Sequence, residues 1–159
     1  MEPINSYSQL AEMVRVSPDQ WILEAYTQSF RITSLASGAT TTATSNIDAS
    51  AYFVWCKTTY FGTVANAQTT DSSRVIPNIT VQLTDSGSQR QLFDIPQTLS
   101  NIAGYGGIPQ ILEQPYLFKP NSTLSGSFVS YEAAATVTNL FLTLIGYRAR
   151  RYGGNTISG

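Results

Sequence analysis

The sequence predicts an all-β chain folded as an antiparallel β-sandwich, jelly-roll-like rather than immunoglobulin-like, with about eight strands and an N-terminal arm or short helix. Three observations lead there. Short apolar segments with two-residue alternation recur along the chain. Turn signals separate them at intervals of roughly ten to fifteen residues. No amphipathic stretch of crossover length lies between them, which excludes a parallel α/β sheet. At 159 residues and 42% hydrophobic content the chain has the size and apolar stock of one domain. We divide it into 1–20 (arm or short helix), 21–151 (sandwich) and 152–159 (flexible tail).

Residues 1–20 hold the one helical pattern. Leu10, Met13 and Val14 recur at i, i+3 and i+4 behind Ser6 or Ser8 as caps, and Pro18 ends the run. A helix this short is marginal alone, so an extended arm ordered by a neighbour is an equal reading. Trp21–Tyr26 and Ser29–Ala36 read as strand segments. The threonine-rich tract Ala39–Ser45 is either a polar strand or an exposed loop. Ala49–Phe61 is a strand with aromatics on both faces, and Gly62–Ser73 a polar loop.

The cleanest alternation is Val75–Asp85, with Ile79, Val81 and Leu83 on one face. Asp85-Ser-Gly-Ser88 signals a hairpin, and Gln89–Ile95 is read as the returning partner. Pro96–Pro115 reads as an irregular loop around Gly104-Tyr-Gly-Gly107, the kind that forms contacts. Tyr116–Phe128 folds about the turn Pro120–Thr123. The closing run Asn139–Arg150 puts Leu140, Leu142 and Leu144 on one face and Phe141, Thr143, Ile145 and Tyr147 on the other, which predicts a central strand. It ends in Arg148, Arg150 and Arg151, expected to meet solvent or a partner.

Chemistry is scarce. The chain has no histidine and a single cysteine, Cys56, so a Ser-His-Asp triad, a Cys-His pair, the usual zinc sites and an internal disulfide are all ruled out. Cys56 reads as a small buried hydrophobe. The ten carboxylates are scattered singly; Asp94 with Glu132 is the example of a distant pair that a fold can bring together for glycoside chemistry, and calcium wants clustered Asp and Asn, whereas Asp71 and Asp85 each stand alone. The glycine loop lacks the lysine and strand-to-helix setting of a phosphate cradle. No catalytic residue, metal site or cofactor is expected. Net charge is −1 with 12% charged residues, about half the usual share, which argues against a nucleic-acid partner and for close packing against other proteins. No apolar run is long enough for a membrane span and the N-terminus does not read as a signal peptide, so a cytosolic product is expected and the sequons at Asn78 and Asn121 carry little weight.

The C-terminal half resembles small β-sandwich proteins carried on the particles of tailed bacteriophages. The likeness rests on Pro115-Tyr-Leu-Phe-Lys-Pro-Asn-Ser-Thr-Leu124, the preceding hairpin Val81–Phe93 and the closing strand Leu140–Arg148 with its Gly-Tyr-Arg ending, about residues 75–150 in all. The resemblance implies a non-enzymatic virion component: a capsid decoration or minor head protein, or a neck or collar piece. It would be made in the bacterial cytoplasm and work as a homo-oligomer against other virion proteins, often through extended termini. The residues expected to make those contacts are Leu10, Met13 and Val14 of the arm, Tyr105, Gly106 and Ile108 of the glycine loop, and Arg150, Arg151 and Tyr152 before the tail. The alternative is a glycan-binding module of a receptor-binding fibre, for which an exposed Tyr105 beside Asn101 is the candidate platform.

Overall fold

The computed structural model describes residues 4–65 and 76–152. Nine strands among them form two antiparallel sheets packed face to face. Sheet A runs, edge to edge, β1 (Trp21–Leu35), β9 (Val137–Arg151), β3 (Tyr52–Val64), β7 (Gln110–Phe118). Sheet B runs β2 (Thr40–Asn46), β8 (Thr123–Ser130), β4 (Ile79–Asp85), β5 (Arg90–Gln91), and the short β6 (Gln97–Thr98) also pairs with β4. The pairing is nested: β1 with β9, β2 with β8, β3 with β7, β4 with β5. A long hairpin rolled up on itself pairs in that way, and the sandwich is a jelly roll.

The two-residue alternation decides which side chains meet between the sheets. Phe30 and Ile32 of β1, Phe53 and Trp55 of β3 and Leu140, Leu142 and Leu144 of β9 point inward from sheet A. They meet Ile79, Val81 and Leu83 of β4 and Leu124 and Phe128 of β8. Phe30 and Phe128 touch edge to face at 5.9 Å between centroids, which joins the sheets across their middle. Strand β9 is central, as its pattern predicts, with hydrogen-bonded neighbours on both sides.

Several boundaries differ from the expectation. β1 is one continuous strand of 15 residues, because β9 pairs along its whole length. The tract at 39–45 is a strand, held by β8 despite its polarity. The return after the hairpin is only the two-residue β5: beyond it the Leu92 N–H still donates to the Leu83 carbonyl, and at Phe93 the carbonyl accepts from the Gln82 side chain in place of a backbone partner. The span 96–115 is not one loop: it holds β6, a helical turn α2 (Leu99–Ile102) and the first half of β7. That half of β7 is an exposed edge, so it carries no alternation to read. The loop read at 62–73 begins later, since β3 extends to Val64; its remainder at 66–73, with Asp71, lies outside the described residues, as do 74–75, 1–3 and the tail from 153.

The N-terminal segment is a helix, α1 (Tyr7–Val16). Ser6 caps it: its hydroxyl accepts from the Gln9 N–H, and the Gln9 side chain accepts from the Ser6 N–H in return. It lies on the outer face of sheet A. Ile4 and Leu10 form a second cluster there with Trp21, Val54, Leu117 and Ala149, flanked by Met13, Val14, Tyr52 and Tyr147. The extended-arm reading is therefore replaced by a docked helix, because its apolar face has a partner within the chain. Cys56 also faces this cluster, half-buried rather than in the core, because β3 bulges there and the register steps from Trp55 opposite Gly146 to Lys57 opposite Ile145.

Candidate interaction surfaces

The residues expected to bind a neighbour fall into two places. Leu10 is 2% exposed against the chain's own sheet, with Met13 and Val14 half-buried beside it. This face of α1 is taken up internally. What α1 leaves open is its C-terminal end, where Val16 is 65% exposed. A shallow groove of about 220 Å³ runs there between Met13, Val16, Gln20 and Trp21. The end of β9 arrives at the same spot: the Arg151 guanidinium sits over the Trp21 ring at 5.3 Å, and the Tyr152 N–H donates to the Gln20 carbonyl. Tyr152 itself projects into solvent. The N-terminal and C-terminal candidates thus form one surface, which no spacing in the sequence connects.

The glycine loop lies elsewhere, beside the distal half of β3. Gly104 bonds to Thr58 and Tyr60 through its backbone, roughly 25 Å along β3 from Tyr52, where the termini meet. A Cβ on Gly104 would lie 2.0 Å from the Ile108 carbonyl oxygen, so the tight turn requires glycine. Gly106 and Ile108 are exposed at its tip, and Ile111 at the start of β7 extends the apolar strip. Tyr105 is half-buried, with Gly107 close against its ring, which corrects the expectation of a freely exposed aromatic. Asn101 is exposed.

The three arginines are engaged within the chain. Arg148 donates to Glu24 at 2.6 Å and to Asp48 at 3.3 Å and lies 4.6 Å over the Tyr26 ring; Arg150 donates to the other Glu24 oxygen at 3.0 Å. The Arg148 hydrogen bond holds the Glu24 carboxyl below its usual range. Asp48 is also held low, first because the Ser50 N–H and hydroxyl donate to it and then through Arg148. This network ties β1, β9 and the β2–β3 loop together at one end of the sandwich.

A polar cleft of about 270 Å³ opens between the start of α1, the β4–β5 hairpin and β7, lined by Ser6, Asp85, Ser88, Arg90, Tyr116 and Lys119 among others. The buried Asp85 closes its floor, accepting from the Gly87 N–H, the Ser88 hydroxyl and the Tyr116 hydroxyl at 2.8–3.0 Å. The first two contacts close the hairpin turn and the third fixes it onto β7, which makes Asp85 a structural group. Burial pushes the Tyr116 phenol up. On the outer face of sheet A, burial and then the bond to Tyr7 push the Tyr147 phenol up as well.

Neither candidate carboxylate forms a working pair: Asp94 accepts from the next N–H, Ile95, and Glu132 from the Asn78 N–H. No group of three or more metal-capable side chains occurs among the described residues, and no helix among them is long and apolar enough to cross a membrane. The outer face of sheet B has a different character. Across β2, β8 and β4 the register aligns Thr42, Ser127 and Gln82, and next to them Thr44, Ser125 and Thr84. This face carries hydroxyls and amides without an ionisable group on those three strands, and at β4 the chain after the hairpin covers it, where Gln82 donates to the Phe93 carbonyl. Each strand's polarity was legible, but their alignment depends on the strand order. No protein-family model matches the chain, and no curated protein matches it in sequence.

Proposed function

We propose that the protein is a non-enzymatic structural component of a tailed-phage particle, an accessory capsid or neck protein that binds neighbouring virion subunits. The fold alone is shared by many functions. The observation that carries the reading is the surface: exposed apolar residues that include two separated places, Val16 with Tyr152 and Ile108 with Ile111, on a body with few charges, of which Arg148, Arg150, Glu24 and Asp48 are paired within the chain. Two such contacts per subunit suit a protein held between neighbours. Each is modest alone, and many copies add up through avidity. Low charge keeps repulsion between crowded copies small.

The test is co-sedimentation of purified protein with particles from a phage lacking its gene. Ile108→Asp and Val16→Asp each place a charge in an exposed apolar contact and are expected to weaken particle binding by about tenfold or more, equivalent to about 1.4 kcal/mol, with the thermal midpoint unchanged. Wild-type binding by both variants overturns the assignment of these surfaces, and absence of binding by the wild-type protein overturns the function.

A further inference from the structure

The two sheets have four outer edges, and three of them carry the features that keep edges from pairing with other chains. β7 has Glu113 and Pro115 in its exposed stretch. The β5 and β6 side of sheet B is built from strands of two residues each. β1 carries Glu24 and Arg31. β2 has none of these. Its seven residues Thr40–Asn46 contain no charge, proline or glycine and pair with β8 without a register break. The bonds from Ser130 N–H to the Ala39 carbonyl and from Ile47 N–H to the Ser122 carbonyl bracket the strand. Alternation between them turns the backbone groups of Thr41, Ala43 and Ser45 toward β8 and those of Thr40, Thr42, Thr44 and Asn46 outward. These last four are also the exposed residues of the strand. From the inner side the Ser45 hydroxyl donates to Gln28 Oε1 at 2.6 Å, which anchors β2 beneath β1.

We propose that β2 is a homotypic docking edge, on which a second copy of this chain lays its own β2 antiparallel to join two B sheets into one. The occupant follows from self-complementarity. A two-fold axis through Ala43 sets Thr42 opposite the partner's Thr44 and Thr40 opposite the partner's Asn46, so every outward residue meets an outward residue. On the order of eight backbone hydrogen bonds form between them. The threonine hydroxyls of the outer face then align across the junction as cross-strand pairs. Ala43 meets its own copy at the closely spaced, non-hydrogen-bonded position, where its methyl is the smallest side chain of the strand. No charge on β2 opposes the approach. This inference does not depend on the phage-particle reading.

Sedimentation equilibrium of the isolated full chain, from micromolar to near-millimolar concentration, tests it without any particle. A reversible dimer is expected for the wild type. Thr44→Lys sets like charges across the junction, and Thr42→Pro removes an outward donor that β8 does not use; each is expected to weaken the dimer by about tenfold or more. Hydrogen exchange supplies a direct readout: the Thr42 and Thr44 amides should slow as concentration rises, while amides of β1 and β7 do not. A wild-type chain that stays monomeric overturns the proposal. So does a dimer that Thr44→Lys leaves intact with the β2 amides unprotected.

Discussion

Gly146 shows how one residue sets the geometry of the central sheet. A Cβ there would lie 1.7 Å from the Val54 carbonyl oxygen and 2.8 Å from its carbon, both backbone atoms that cannot swing aside. The crowding arises where β3 bulges, and the Trp55 indole N–H locks that bulge by donating to Thr58 Oγ1 at 2.9 Å and to the Lys57 carbonyl. Gly146→Ala must therefore part β3 from β9 in the middle of sheet A. The expected cost is about 3 kcal/mol or more, in the range of severe backbone clashes, measured by urea unfolding. A loss below about 1 kcal/mol would mean that the strands separate there easily. A glycine inside an apolar strand is visible in the sequence and signals a bulge or a close approach. Its opposing residue is not visible, because the register between β3 and β9 spans some ninety residues of intervening chain.

At the level of elements, legibility followed burial. β4 and β9 each set one face into the core, so their alternation was plain. β2 and the first half of β7 are exposed edges, whose side chains bury too little for either period to emerge. Helix α1 is the intermediate case: Leu10, Met13 and Val14 gave its period, whereas the surface receiving them is assembled from β1, β3, β7 and β9. Because Leu10 is almost wholly buried there, Leu10→Ala should cost about 2–4 kcal/mol. The same cluster shields Cys56, whose thiol burial pushes up, so thiolate is scarce and the group should react slowly. Loosening α1 with Leu10→Ala is expected to speed modification of Cys56 by a thiol reagent at neutral pH about tenfold, which is about 1.4 kcal/mol of opening equilibrium. An unchanged rate would show that α1 does not cover the thiol.

For the whole molecule, the pH dependence of stability should come from the acid side. With no histidine in the chain, no side chain of ordinary pKa changes charge between about pH 5 and 8, and stability there should be nearly flat. The carboxyls of Glu24 and Asp48 are both held below their ordinary values of 4.5 and 3.8 in the folded chain, Glu24 chiefly by Arg148 and Asp48 chiefly by the Ser50 N–H and hydroxyl. As pH falls through that range the unfolded chain takes up protons before the folded one does. The stabilisation is thus complete above the ordinary values and is lost as pH drops toward the depressed ones. Protonation there would discharge both acceptors of Arg148 and loosen the β2–β3 loop from β9 at one end of the sandwich, while the backbone ladder still joins β1 to β9. Denaturant titrations from pH 7 to pH 3 should show the wild type losing stability below about pH 4.5. Glu24→Gln should be less stable than the wild type at pH 7 and fall less steeply, so that the two curves converge in acid. Parallel curves would place the acid sensitivity outside this network.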